Sequence, residues 1–172
     1  MSDDEPRPAT RLIEAGRRRK WVSAPDTKGH VVSPPVWRAS THLYDSVADL
    51  NAAAAKNADG DFYYGRRGAP TQWALAEALT EMEPGAAGTM LYPSGVAAVH
   101  SALLSVLKPG DVLLMTDNAY GPSQAFADGF LKIWGVEVRY FDPMVAGADI
   151  DAIFCNATRA ILLESPGSLT FE

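Results

Sequence analysis

The stretch Lys108-Pro-Gly-Asp-Val-Leu-Leu-Met-Thr116, followed by Asp117-Asn-Ala-Tyr-Gly-Pro-Ser123, decides the fold. Val112-Leu-Leu-Met115 is apolar without alternation, as is Ile161-Leu-Leu163, the pattern of strands covered on both faces by crossover helices, and Pro109-Gly110 and Gly121-Pro122 flank the first of them. Working outward, the reading predicts a strand at Thr89 to Tyr92 and a helix from Ser94 to Leu107 before it. After it come a helix from Pro122 to Trp134, a strand Val136 to Phe141, a short helix Ala148 to Phe154 and a strand Ala160 to Leu163. Strands alternating with helices predict an α/β layered, parallel sheet.

Further upstream, Pro70 suits a first helical position, and Leu75, Leu79 and Met82 recur at helical spacing, which predicts a helix to Glu83 with those residues as its apolar face. Gly60 to Gly68 reads as a loop, Asp45 to Ala58 as a short alanine-rich helix, and Val36 to Tyr44 as a strand. Ser23 to Pro35 reads as an extended connector, and Ala9 to Lys20 as at best a short surface helix on a mobile N-terminus. The expected organisation is an N-terminal arm over residues 1–60 and an α/β domain over 61–172.

Composition narrows the function. The chain has 172 residues, one domain or one plus an arm at about 100 to 200 residues per domain. Hydrophobic residues make up 47% and charged residues 21%, enough for a sizeable core. A net charge of -6 lacks the footprint expected of a nucleic-acid binder. No run approaches the roughly 18 apolar residues of a membrane span. Small-molecule chemistry in the cytoplasm is therefore expected, with no nucleic-acid and no membrane partner. The single cysteine, Cys155, excludes an internal disulfide and is expected to be a small core residue. Arg17-Arg18-Arg19-Lys20 reads as a solvated helix end, with an anionic-partner patch as the alternative. His30, His42 and His100 show no metal-ligand spacing, so no metal is expected.

Three stretches can carry chemistry. Pro93-Ser94-Gly95-Val96 joins a strand to a helix, whose exposed N–H groups and positive end suit an anion; Ser94 as a plain N-cap is the bland alternative. Tyr63-Tyr-Gly-Arg-Arg-Gly68 sets two rings beside two guanidiniums, which can grip phosphate or simply pack and stay solvated. Tyr120 follows a strand's C-terminal end, where parallel sheets place ligands, and can stack on a flat ring or pack as an ordinary half-buried tyrosine. Glu164-Ser-Pro-Gly-Ser168 leaves the last strand at the same edge, with no function assignable from spacing.

Tyr64-Gly-Arg-Arg-Gly68 before Pro70-Thr71, Tyr92-Pro-Ser-Gly-Val-Ala-Ala98, Asp117-Asn-Ala-Tyr-Gly-Pro-Ser123 and Glu164-Ser-Pro-Gly-Ser168, in this order, resemble the N-terminal part of the Cys/Met-metabolism family of pyridoxal-phosphate enzymes. The resemblance runs from about residue 34 to residue 172. It implies the aspartate-aminotransferase-type fold (fold type I), of which only the N-terminal part of the large cofactor domain is expected here. The cofactor would be pyridoxal 5'-phosphate, its phosphate on the backbone at Gly95 and Val96 beside Ser94 and its ring against Tyr120. Tyr64 and Arg66 would reach the phosphate from a neighbouring subunit, within a homotetramer built from dimers. Ser168-Leu169, where γ-acting members commonly carry Asn-Pro, favours the β-eliminating branch. That branch carries out α,β-elimination on a thioether amino acid in methionine biosynthesis, with homocysteine, pyruvate and ammonia as products. A γ-synthase or γ-lyase is the alternative, and a non-catalytic α/β domain binding a phosphorylated ligand or a partner is a second. In the family the Schiff-base lysine lies further along the chain. Lys20, Lys28, Lys56, Lys108 and Lys132 all lack its context, so no catalytic residue is assigned, and the expectation is a fragment inactive alone.

Overall fold

The computed structural model describes residues 7–23, 28–56, 62–145 and 148–171. The chain divides into two compact units, residues 1–91 and 92–172.

In the first unit the helices are α1 (Pro8–Glu14), α2 (Arg19–Val22), α3 (Val47–Ala55) and α4 (Pro70–Met82), with a 3₁₀ turn at Gly65–Arg67. Ser46 caps α3 by accepting from the Asp49 N–H at 3.1 Å. At the start of α4, Pro70 occupies the first turn and the Gln72 side-chain Oε1 accepts from the Ala69 N–H at 3.1 Å. The helix has almost the bounds its sequence predicts, but it faces the other way. Leu75, Leu79 and Met82 are exposed, while Pro70 and Ala74 are buried.

The reason lies in the N-terminal segment, which packs on the Ala74 side. Trp21 and Val22 are buried against Ala74, with Trp73 beside them, and the Trp21 and Trp73 rings stand 5.6 Å apart. The Trp21 indole N–H donates to Glu77 at 2.9 Å. Arg18 pairs with Glu77 and, at 3.2 Å, with Glu81, so the basic run is partly tied to α4. Gly16, at φ +72°, permits this approach, since a Cβ there would lie 2.5 Å from the Ala74 carbonyl oxygen.

The expected strand at Val36 to Tyr44 does not form. Its β-branched and aromatic residues favour a strand only where another strand pairs with them, and here the backbone is tied to side chains instead. The Trp37 N–H donates to Thr71 Oγ1 at 2.8 Å, Thr71 Oγ1 donates to the Pro35 carbonyl at 3.0 Å, and the Tyr44 hydroxyl donates to the Phe62 and Tyr63 carbonyls. Thr89 to Tyr92 is likewise not a strand, and Thr89 instead shares a 2.8 Å hydroxyl hydrogen bond with Thr80 of α4.

The second unit runs α5 (Gly95–Val106), β1 (Val112–Thr116), α6 (Gly121–Phe126), a π-helical stretch (Ala127–Leu131), α7 (Lys132–Trp134), β2 (Glu137–Phe141), α8 (Ala148–Ile153) and β3 (Thr158–Leu162). The strands form a parallel sheet in the order β2-β1-β3. Leu113 pairs with Val138 on one side and Ala160 on the other, and the register slips by one residue at Arg159. Central β1 is wholly buried, as its unbroken apolar run requires, whereas edge strand β3 is only half-buried.

The core joins Leu103 of α5, Leu107 just past its end, Leu113 and Met115 of β1, Ala119, Ala127, Leu131 and Val136. Gly135, at φ +97°, ends α7 in the left-handed conformation that only glycine adopts cheaply, and its carbonyl accepts from the Gly110 N–H at 2.8 Å. Cys155 lies outside this core, half-buried in the turn before β3, where its backbone N–H donates to Thr158 Oγ1 at 2.9 Å. Among the described residues no helix is long and apolar enough to cross a membrane.

Candidate functional site

Helix α5 enters β1 through the short turn at 107–111, and Leu103 of the helix and Leu107 of the turn join Leu113 and Met115 in one core cluster. The helix therefore runs back along the sheet, and its N-terminus lies toward the C-terminal edge, where parallel sheets take ligands. Ser94 caps it, Oγ accepting from the Ala97 N–H at 3.2 Å while the Ser94 carbonyl accepts from the Ala98 N–H at 3.1 Å. That arrangement leaves the N–H groups of Gly95 and Val96 at the positive end of the helix dipole. Gly95 is exposed, and no atom outside its local chain lies within 4 Å of where a Cβ would be. Ser94 is thus an N-cap, as the bland alternative holds, in a turn that also remains accessible to an anion.

Tyr120 leaves β1 at the same edge and is the N-cap residue of α6, its side chain 47% exposed. Two contacts fix the loop around it. Gln124 Nε2 donates to the carbonyls of Asp117 at 2.8 Å and Ala119 at 2.9 Å. From the exit of β3, Glu164 Oε2 accepts from the Tyr120 N–H at 2.8 Å, Glu164 Oε1 accepts from Ser168 Oγ at 2.6 Å, and the Ser168 N–H donates to the Asn118 carbonyl at 3.0 Å. Glu164 is the functional-edge residue that spacing leaves unassigned. The one signal available in sequence is a carboxylate just past a strand end at the ligand edge.

The Ser168 hydroxyl, and then the Tyr120 N–H, hold the Glu164 carboxyl below its ordinary value of 4.5. A carboxylate depressed in the folded state contributes its full stabilisation above the ordinary value and loses it as pH falls through the folded value. Thermal unfolding from about pH 6 down to about pH 3 is therefore expected to show an acid-side loss of stability that is smaller in Glu164→Gln. Equal acid losses in the two proteins would refute this contribution.

Tyr64, Arg66 and their neighbours lie in the first unit. The Arg66 guanidinium sits 5.2 Å from the centre of the Tyr64 ring, and Arg67 sits 5.4 Å from Tyr63. Both arginines are exposed and both tyrosines half-buried. The turn that carries them is tightly seated: the Gly65 N–H donates to the Ser40 carbonyl at 2.7 Å, and a Cβ on Gly68 would lie 2.5 Å from Trp73 Nε1. Trp73 is a second residue that sequence reading passes over. It stands against Gly68, with its ring 5.7 Å from Phe62 and 5.6 Å from Trp21.

His100 on α5 stacks on Phe126 with ring centres 3.7 Å apart, and His42 lies 4.9 Å from Phe62. Both serve as packing residues.

Known proteins match this pattern. The profile of the Cys/Met metabolism PLP-dependent enzymes covers residues 9–172. Cystathionine beta-lyase MetC of Escherichia coli K12 is 42% identical over 163 residues, 95% of this chain and 39% of that protein. Cystathionine gamma-synthase of Mycobacterium bovis is 36% identical over 162 residues, 92% of this chain and 37% of that protein. The crystal structure of metB from Corynebacterium glutamicum superposes with a TM-score of 0.79 at 25% identity, covering all of this chain and 40% of that one. The chain spans about two fifths of the length of the curated relatives it matches.

A parallel sheet with an accessible helix N-terminus at its C-terminal edge, matched to these structures, is part of the α/β domain of a fold-type-I pyridoxal-phosphate enzyme. Within that class the chain belongs to the Cys/Met-metabolism PLP-dependent enzymes, and pyridoxal phosphate is the cofactor. The residues present fit that group: the N-terminus of α5 offers N–H donors with space around Gly95, and Tyr120 offers an accessible ring at the same edge.

Proposed function

We propose that this chain supplies the phosphate- and ring-binding part of a cystathionine β-lyase-like carbon–sulfur lyase, which cleaves cystathionine to homocysteine, pyruvate and ammonia. In this reading residues 61–172 form the first part of the cofactor domain and residues 1–60 an arm. The observation that carries it is the accessible N-terminus of α5, where Gly95 has nothing within 4 Å of its missing Cβ.

The N–H groups of Gly95 and Val96 and the Ser94 hydroxyl receive the phosphate, where the helix dipole favours negative charge. The Tyr120 ring would stack on the pyridine ring of bound pyridoxal phosphate. Tyr64 and Arg66 reach the phosphate of a neighbouring subunit in a tetramer of two dimers, the guanidinium adding a bidentate grip. Bound pyridoxal phosphate supplies the electron sink for the charge left when the substrate Cα proton departs.

In this reading none of the chain's five lysines carries the cofactor, since none follows a strand in the family's Ser/Thr-Lys context. Of the two lysines in the second unit, Lys108 is in the turn before β1, at the opposite end of α5 from Ser94, and Lys132 on α7 pairs with Asp128 at 2.7 Å. The chain by itself therefore binds cofactor without turnover.

Purified chain mixed with pyridoxal phosphate, reduced with borohydride and weighed intact, tests this. The expected result is saturable binding, weakened in Arg66→Ala, and no stable adduct on a single lysine. One specific lysine adduct would overturn the placement of the lysine, and an absence of binding would favour the non-catalytic alternative. Gly95→Ala sharpens the assignment, because a methyl there meets no protein atom and crowds only the phosphate. Unfolding is expected within about 0.5 kcal/mol of the parent, with affinity for pyridoxal phosphate reduced about tenfold (~1.4 kcal/mol). Unchanged affinity would remove the α5 turn from the site.

A γ-acting enzyme is the second reading, favoured by the similarity to the gamma-synthase. Ser168-Leu169 argues for β-elimination. Turnover of cystathionine, against an activated homoserine ester plus cysteine, by an assembly that includes the lysine separates the two.

A further inference from the structure

Glu164 stands 44 residues from Tyr120, yet its carboxylate bonds to the loop that presents that ring. We propose that Glu164 is a positioning residue: it bridges the exits of β1 and β3 and holds Tyr120 at the angle the cofactor ring requires. The link to the cofactor rests on the function proposed above.

Its two oxygens serve different segments. Oε2 accepts from the Tyr120 N–H at 2.8 Å, and Oε1 accepts from the Ser168 hydroxyl at 2.6 Å. Both are short, charge-assisted bonds. Ser168 closes the circuit, since its own N–H donates to the Asn118 carbonyl at 3.0 Å, two residues before Tyr120. The two segments also touch directly. Gly167 is buried, and a Cβ there would overlap the Asn118 side-chain amide, so the strand exits approach as closely as a glycine allows.

Tyr120 needs this support because its ring is about half exposed and its backbone must carry the orientation. Its φ of -48° and ψ of 125° place it just outside α6, where the helix imposes nothing on its N–H. Gln124 braces the loop from within α6, through the Asp117 and Ala119 carbonyls, and Glu164 braces it from the neighbouring strand. Removing Glu164 leaves the first brace and frees the Tyr120 N–H.

Chemistry separates positioning from bulk. In Glu164→Gln the amide oxygen accepts from the Tyr120 N–H, and the amide N–H₂ donates to a Ser168 hydroxyl that has turned to accept. In Glu164→Ala neither bond survives.

Hydrogen exchange by mass spectrometry on the 172-residue chain without cofactor reads the clip, with β1 as the internal reference for folding. In Glu164→Ala the segment 117–124 is expected to exchange about tenfold faster, while 112–116 keeps its protection. Ser168→Ala is expected to fall between, and Glu164→Gln close to the parent. The same variants mixed with pyridoxal phosphate give the second readout, the circular dichroism induced in the cofactor band by the tyrosine ring. That band is expected to collapse in Glu164→Ala and persist in Glu164→Gln.

Unchanged exchange in Glu164→Ala, or equal effects of Ala and Gln, would overturn the clip. Should Glu164→Ala also lose protection in β1, Ser168→Ala decides: faster exchange confined to 117–124 supports the clip, and no change overturns it. Faster exchange with an undiminished band would overturn the link to the cofactor ring. No band in the parent, with the exchange pattern as expected, would defeat the cofactor reading while the clip stands.

Discussion

Leu113→Ala is expected to cost about 3 kcal/mol, within the roughly 2–5 kcal/mol range for truncating a fully buried leucine. Leu113 sits at the centre of the middle strand, paired to Val138 and Ala160, with no solvent exposure and packed among Leu103, Leu107, Met115, Leu131 and Val136. Those neighbours come from α5, the turn that follows it, the π-helical stretch, the turn before β2 and β1 itself, so a strand held on both sides cannot move to fill the hole. Domains of this size are stable by only about 5–15 kcal/mol, so the substitution removes a large share of the total. Urea unfolding followed by circular dichroism measures it. A loss below about 1 kcal/mol would mean that β1 is not the centre of the core.

Gly65→Ala is expected to be the most damaging methyl addition in the first unit, at about 1–3 kcal/mol. The added Cβ would overlap the carbonyl oxygen of Ala39, and the obstacle is backbone, so no rotamer change relieves it. The Gly65 N–H is meanwhile bonded to the Ser40 carbonyl at 2.7 Å, which fixes the two segments against each other. Relief requires the 3₁₀ turn to lift, and Arg66 and Arg67 lift with it. Reduced unfolding free energy is the expected result and, on the function proposed above, weaker binding of pyridoxal phosphate accompanies it. Gly95→Ala is the control, since its methyl meets open space. Equal stability of the two variants would show that Gly65 is not packed as described.

Both expectations depend on features that differ in how openly the sequence declares them. Leu113 is legible, because four apolar residues in a row, Val112 to Met115, between Pro-Gly and Gly-Pro signals are the pattern of a strand buried on both faces. Gly65 is not, because the residue that crowds it is 26 positions away and contributes a carbonyl, which every residue has. Helix α4 shows both sides within one element. Pro70 and the apolar spacing set its bounds, yet the face buried is that of Ala74, because Trp21, Val22 and Gly16 arrive there from a distant segment. Large apolar residues announce that a helix is amphipathic, and a small residue such as Ala74 is where another backbone can come close.

Strand propensity has the same limit. Val36 to Tyr44 and Thr89 to Tyr92 have suitable residues, but a ladder needs a partner, and side-chain hydroxyls of Thr71 and Thr80 hold these segments instead.

The sequence by itself determined the alternation of helix and strand over residues 95–162, the family, and the turn and tyrosine that stand at the C-terminal edge of the sheet, since periodicity, glycine placement and short motifs are local properties. Tertiary structure alone decided which face of α4 is buried, where the N-terminal helices dock, and that the Glu164 carboxylate meets the Tyr120 N–H. Each of these joins groups dozens of residues apart through a distance or a direction, and a linear order of side chains carries neither.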